Sequence, residues 1–381
     1  MITLFLFLFV CCSTTTALNQ SILYKANRGE EINDSSYELT QGKLIPEYLL
    51  TDKKIEIYQN GNVIKNIALK SPFNYKVISL VSIDKKYFAS IMTVSRDVNR
   101  NAVLLEISIY NSQGILINKI KTDKLVFSIP ELISLKNDWM ICYHNPQVKG
   151  FGILSNNLDK FISLNKYVIS VKQTENGFLV LGRTKLFEEI IPNNPAKEEW
   201  SLYFTSFDGK IIWENKFEAS DTTIPLVINN IESCLILFQL KNSLNILGLN
   251  MKGIKYFNYV EDGENYYSGA IDKNYFYFSN QNVLKRLSLN TQKIDKQVKL
   301  KGVIQNIVIN NSNLFMWQRD NSPSNDKYYL SSITSNFEEQ ETRETILPED
   351  VIPYVKNIQI VKNNVILIFA EQIVVLKDIN L

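Results

Sequence analysis

Histidine is almost missing from this chain: among 381 residues there is one, His144. A Ser-His-Asp or Cys-His arrangement would have to run through it, because the base of such a site is an imidazole. The nearest thiol, Cys142, stands two residues away in the run MICYH. Strand neighbours at that spacing share a face but supply no third group to orient the base. Zinc sites need several His or Cys ligands, so no metal is expected. Beyond residue 17 only Cys142 and Cys234 remain, both inside apolar runs, MICY and SCLILF. They read as small buried hydrophobes rather than as a disulfide framework. Glycine is sparse at 14 residues, and no glycine-rich phosphate loop is present. Charge of one sign is lacking too: 41 basic against 39 acidic residues leave a net charge of +2. That balance gives no global field for nucleic acid or an anionic membrane. No stretch after residue 10 is long and apolar enough for a transmembrane helix.

What is present is β-forming. Hydrophobic residues make up 45% and charged residues 21%, which suits a folded core. Residues 200–217, WSLYFTSFDGKIIWENKF, are two aromatic and apolar runs around Asp208 and Gly209. Asp-Gly between such runs predicts a hairpin with a type I′ turn. Similar hairpins recur from Leu44 onward, and no amphipathic helix interrupts them. One set turns near Asp84, Asn137, Asn176, Asn230, Lys273, Asn311 and Asn363. A second set alternates with it, near Gly61, Gly114, Asp159, Gly209, Gly253, Gln292 and Glu338. Two hairpins per unit make four strands, at spacings of roughly 40 to 55 residues, near the period of propeller blades. The expected fold is all-β, a single β-propeller of about seven four-stranded blades, with eight as the alternative. Two leftover strand-like stretches, 44–50 and 372–377, fit an eighth blade or one shared between the chain ends. The order of the hairpins implies a ring closed by N-terminal strands, which removes an exposed sheet edge. The inner two strands of each blade are expected to be the more buried.

Over residues 44–381 this repeat resembles the β-propeller superfamily. The segment GKIIWENKF is similar to the quinoprotein-type (PQQ-like) repeat, in which Gly-Lys-x-x-Trp closes a blade; here Trp213 alone supplies that Trp. The WD40 and Kelch patterns fit less well, since Trp-Asp and Gly-Gly pairs are absent.

Residues 2–10 form a nine-residue, almost wholly apolar run followed by Cys11, Cys12 and a Ser/Thr stretch ending at Ala17. This predicts a signal peptide over 1–17, then a polar segment over 18–41 and the propeller over 42–381. Export to a periplasm, cell surface or medium follows. Leu8-Phe9-Val10-Cys11 resembles a bacterial lipoprotein signal, which would make Cys11 a lipidation site and the chain membrane-attached.

In a propeller the B–C and D–A connections share one face, where insertions often carry function. Four B–C connections are long or charged: 96–101, 144–150, 183–200 and 319–327. Each starts at a cationic or cation-capable residue, Arg96, His144, Arg183 or Arg319, and together these suggest an anion-binding rim. The alternative is that each caps its own loop. Trp200, Tyr266 and Tyr267 are candidate anchors for a partner. Glu188-Glu189 and Glu198-Glu199 could serve glycosidase chemistry but read more simply as solvated loop charge. No catalytic residue and no cofactor is assigned. The expected function is an exported, non-catalytic scaffold that binds a protein or an anionic small ligand on the B–C face. The alternative is a propeller enzyme of quinoprotein or carbohydrate-active type acting on an anionic small molecule.

Overall fold

The computed structural model describes residues 20–70, 77–97, 102–122, 131–135, 138–145, 147–186, 189–190, 196–230, 232–262, 268–320, 327–338, 340–345 and 354–377. They form 32 strands in eight four-stranded antiparallel sheets. The first strand, β1 (Gln20–Lys25), belongs to the last blade. Blade 1 is β2 (Ile32–Thr40), β3 (Lys43–Thr51), β4 (Lys54–Gln59) and β5 (Asn62–Ala68). Blade 2 is β6 (Ile78–Val81), β7 (Tyr87–Asp97), β8 (Ala102–Asn111) and β9 (Leu116–Thr122). Blade 3 is β10 (Glu131–Ser134), β11 (Trp139–His144), β12 (Gly150–Ser155) and β13 (Asp159–Ser163). Blade 4 is β14 (Tyr167–Gln173), β15 (Phe178–Arg183), β16 (Lys197–Thr205) and β17 (Ile211–Ser220). Blade 5 is β18 (Leu226–Asn229), β19 (Ser233–Leu240), β20 (Ser243–Asn250) and β21 (Lys255–Asp262). Blade 6 is β22 (Gly269–Ile271), β23 (Tyr275–Asn280), β24 (Val283–Ser288) and β25 (Lys293–Lys299). Blade 7 is β26 (Val303–Asn310), β27 (Asn313–Arg319), β28 (Tyr328–Thr334) and β29 (Gln340–Thr345). Blade 8 is β30 (Asn357–Val361), β31 (Asn364–Ile368), β32 (Gln372–Leu376) and, as its outer strand, β1.

The ring is thus an eight-bladed β-propeller, one blade more than the favoured count of seven. The two leftover stretches are β3, in blade 1, and β32, in blade 8. The polar segment 18–41 holds β1 and the whole of β2. Closure is by backbone pairing of β1 with β32, Gln20 opposite Leu376 and Lys25 opposite Gln372.

Burial follows position in the blade. The second and third strands are covered on both faces: every residue of β11, β12 and β15 is buried. The first strand faces the channel and is half-buried, as in β18 and β22. The fourth faces outward, and β5 is exposed at all positions but one. The expectation that the inner two strands are the most buried is therefore corrected to the middle two, because only they have neighbouring blades against both faces. The apolar side chains segregate into eight clusters, one per seam between adjacent blades, the seam of blades 8 and 1 included. Cys142 and Cys234 are free thiols buried in two different clusters.

The hairpin at 206–210 differs from a type I′ turn. The Gly209 N–H donates to the Ser206 carbonyl at 2.9 Å and the Ser206 N–H to the Lys210 carbonyl at 3.0 Å, and of its central residues only Gly209 has positive φ, at 81°. This is a type I turn followed by a glycine bulge, a three-residue loop in place of two. The same pattern holds at 111–115 and 250–254. There Asn111 and Asn250 accept backbone N–H groups of the turn with their side-chain oxygens.

Candidate functional site

Antiparallel order puts the B–C and D–A connections of all blades on one face. A cavity of about 670 Å³ opens there, at the mouth of the central channel where blades 8, 1 and 2 meet. Glu31 comes from the link between β1 and β2, Asp52 from the turn after β3, and Tyr354 and Lys356 from the approach to β30. Asp34 on β2 and Ser79 on β6 line it from the innermost strands. Ring closure therefore builds this cavity from the two ends of the chain.

Its polar groups are tied to one another. The Lys356 ammonium pairs with Glu31 at 2.7 Å and donates to the Ile32 carbonyl at 2.7 Å. The Glu31 N–H donates to Asp52 Oδ1 at 2.8 Å. The Asn33 amide donates to Ser79 Oγ at 2.7 Å, and Ser79 donates to the Thr51 carbonyl at 3.0 Å. Asp34 receives the Ser35 N–H at 2.8 Å and the Tyr48 hydroxyl at 3.0 Å. Burial pushes its carboxyl above the ordinary value, against the lowering pull of those donors. No Lys or Arg among the described residues forms an ion pair with it. Three carboxylates and one ammonium thus face one opening, and Tyr354, 71% exposed, stands at its rim. The cavity has the size of a small-molecule or side-chain pocket.

Of the four cationic strand ends, His144, Arg183 and Arg319 do not line it. Arg183 turns into its own blade. Its guanidinium lies 4.8 Å over the Trp200 ring, pairs with Glu198 at 2.6 Å and donates to the Asp221 carbonyl at 2.9 Å. Asp221 in turn holds the Ala196 N–H at 2.9 Å and the Lys185 ammonium at 2.9 Å, so this group fastens the base of the blade-4 loop. Glu199 pairs with the Lys166 ammonium at 2.6 Å. His144 is buried at the seam with blade 4, where the Val168 backbone meets it; burial lowers its pKa to about 4. Arg319 is exposed at the end of β27, opposite Tyr328. Of Arg96 only the backbone is described, paired with Val103. His144, Arg183 and Arg319 sit on three different blades, 3, 4 and 7. Trp200 is fully buried in the seam of blades 4 and 5 and offers a partner no exposed ring. Cys11, Glu188, Tyr266 and Tyr267 lie outside the described residues. The cavity escaped sequence reasoning because residues 18–41 read as a polar segment outside the propeller, and because only ring closure sets Tyr354 and Lys356 beside Glu31, Asp34 and Asp52 of blade 1.

Trp213, the residue behind the quinoprotein resemblance, is a joint between blades. Its indole N–H donates to the Met251 carbonyl at 3.0 Å, and Asn215 donates to the Gly253 carbonyl at 2.9 Å, both in the outer turn of blade 5.

No family model matches the chain, and no curated protein sequence matches it. Solved structures do. The dihydro-heme d1 dehydrogenase NirN, solved in complex with DHE, superposes with a TM-score of 0.51 at 8% identity, covering 83% of this chain and 68% of that one. The β-propeller domain of Cps50 (Swd1) from Myceliophteria thermophila gives 0.45 at 9% identity, over 78% and 96% of the two chains. BamB from Moraxella catarrhalis gives 0.40 at 8% identity, over 80% and 97%. At such identities the likeness concerns the fold alone: this chain is an eight-bladed β-propeller closed by its N-terminal strand.

Proposed function

We propose that this chain is an exported, non-catalytic binding propeller that receives a cationic group of its ligand or partner at the channel mouth. The observation that carries this reading is the cavity between blades 8, 1 and 2, where Asp34 faces the opening with hydrogen-bond donors but no ion pair among the described residues. A half-buried carboxylate held mainly by neutral donors, with the Lys85 charge as its smallest lowering influence, gains from an incoming ammonium or guanidinium, because the surroundings screen that attraction weakly. The charge of this cavity favours a cation over the anion suggested by Arg96, His144, Arg183 and Arg319. The absence of catalysis is supported by the state of the nucleophile and base candidates. Burial makes His144 a weak base, and it raises both Cys142 and Cys234, the latter to about 12. Export rests on the apolar run at 2–10 and the small residues up to Ala17.

Fluorescence anisotropy with a labelled tetralysine peptide and a labelled tetraglutamate peptide tests the reading. Tetralysine is expected to bind in preference, and Asp34→Asn is expected to weaken it at least tenfold. Equal binding of the two peptides, or an unchanged affinity in the variant, would remove the cavity as the site.

A further inference from the structure

The outward-facing fourth strands of blades 8, 1 and 2 differ from the rest of the rim. Their sequences, QSILYK, NVIKNIA and LINKIKT, contain Lys25, Lys65, Lys119 and Lys121 and no Asp or Glu. Ile22, Val63, Ile64, Leu116 and Ile117 on them are exposed, as is Ile115 in the turn before β9. The patch is continuous from blade 1 to blade 2. The outer turn of blade 2 seats Gly114 against the Lys65 stem so closely that a Cβ there would lie 2.5 Å from Lys65 Cγ. Lys119 is paired with Glu106 at 2.7 Å, whereas no carboxylate of the described residues pairs with Lys25, Lys65 or Lys121. Exposed apolar residues continue onto blades 3 to 5 at Phe161, Ile211, Ile212 and Ile254. There Asp159, Glu214, Glu218, Glu261 and Asp262 share the strands, so the run of fourth strands free of carboxylates ends with blade 2.

Direction along the chain adds an independent observation. A fourth strand starts at the face opposite the channel-mouth cavity and runs toward it. Gln20, the start of β1, therefore lies at the same lower edge as Val63, Ile64 and the 115–117 triplet. In the lipoprotein reading, Cys11 stands nine residues before it. An apolar strip flanked by lysines without a carboxylate partner among the described residues, at the edge where a chain lipidated at Cys11 would begin, matches the interface of an anionic bilayer.

We propose that the lower outer rim of blades 8, 1 and 2 docks on an anionic lipid surface. That orientation leaves the channel-mouth cavity facing away from the bilayer, open to a partner.

Co-flotation of the full chain with vesicles tests this, comparing phosphatidylcholine alone with phosphatidylcholine containing phosphatidylglycerol. Stronger partitioning onto the anionic vesicles is expected. Ile64→Glu with Leu116→Glu is expected to lower it at least tenfold, and Lys65→Gln with Lys121→Gln to remove the preference for phosphatidylglycerol. Ile224→Glu, an exposed position on the opposite face, is expected to leave it unchanged. All three variants change exposed side chains, and an unaltered melting temperature confirms that they fold. The proposal is overturned if the rim variants float like the wild type, which would assign all attachment to residues 1–19. It is also overturned if both vesicle types bind equally, or if the rim variants instead abolish a dimer seen in solution.

Discussion

At the scale of single residues, the Arg183–Glu198 pair stands out because both side chains are only 1% exposed. Charges so deeply buried are tolerable only as a pair with their remaining hydrogen bonds met. Arg183→Met is expected to cost about 3–5 kcal/mol, since it leaves the Glu198 carboxylate buried without its partner. Adding Glu198→Leu is expected to restore most of that loss, and urea denaturation midpoints of the single and double variants measure both effects. From the sequence, Arg183 was legible as a cation at the end of a B-strand. Its direction was not, because that depends on a register that sets Arg183 opposite Trp200 and brings Glu198 within reach.

Two further residues give the stability a readable pH dependence. Burial pushes Glu131 up to about 7, although the Gln173 N–H and the Lys172 charge pull it down. Between about 4.5 and 7 the folded protein therefore holds a proton that the unfolded chain releases, and this contribution to stability falls as pH rises through that window. His144 acts in the opposite sense: its folded value of about 4 lies below 6.5, so stability is lost as pH drops from 6.5 toward 4. The two slopes oppose each other wherever the windows overlap. Glu131→Gln removes one of them while keeping an acceptor for the Gln173 N–H. Relative to the wild type, the variant is expected to gain about 1–3 kcal/mol between pH 5 and pH 8. Thermal unfolding at the two pH values checks the sign.

At the scale of elements, the outer turns act as docking pieces between blades. A Cβ added at Gly253 would lie 2.7 Å from the Trp213 ring, at a backbone φ of 77°. Gly253→Ala thus combines a left-handed backbone conformation with a collision, and a loss of about 1–3 kcal/mol is expected in urea denaturation. A similar loss is expected for Gly209→Ala, whose Cβ would meet the Ile162 side chain of blade 3 at 2.5 Å. The hairpin at 200–217 was legible from its alternation and its Asp-Gly pair. The form of its turn was not, because Asp-Gly suits a two-residue loop as well as a type I turn with a glycine bulge. The position of Trp213 could be read as well, but its partners on the next blade could not.

At the scale of the whole molecule, the repeat showed the propeller, and the chain ends hid one blade. Blade 8 is split, with β1 separated from β32 by nearly the full chain, so no spacing can count it. Blade 1 opens in a polar segment whose β2–β3 pairing is shifted between Ser36 and Tyr37, next to Pro46, which blurs the alternation expected of a strand pair. The candidate site was hidden for the same reason. Glu31, Asp34 and Asp52 all belong to blade 1, the first two in the segment that reads as polar and irregular, and Tyr354 and Lys356 join them only through closure. The direct measurement is hydrogen–deuterium exchange of the full chain, alone and with the tetralysine peptide. Slower exchange at 31–34, 77–81 and 354–357, with 183–186 and 198–203 unchanged, is expected of a ligand seated at the channel mouth. Protection confined to 183–203, or none while the peptide is bound, would contradict a site built by ring closure.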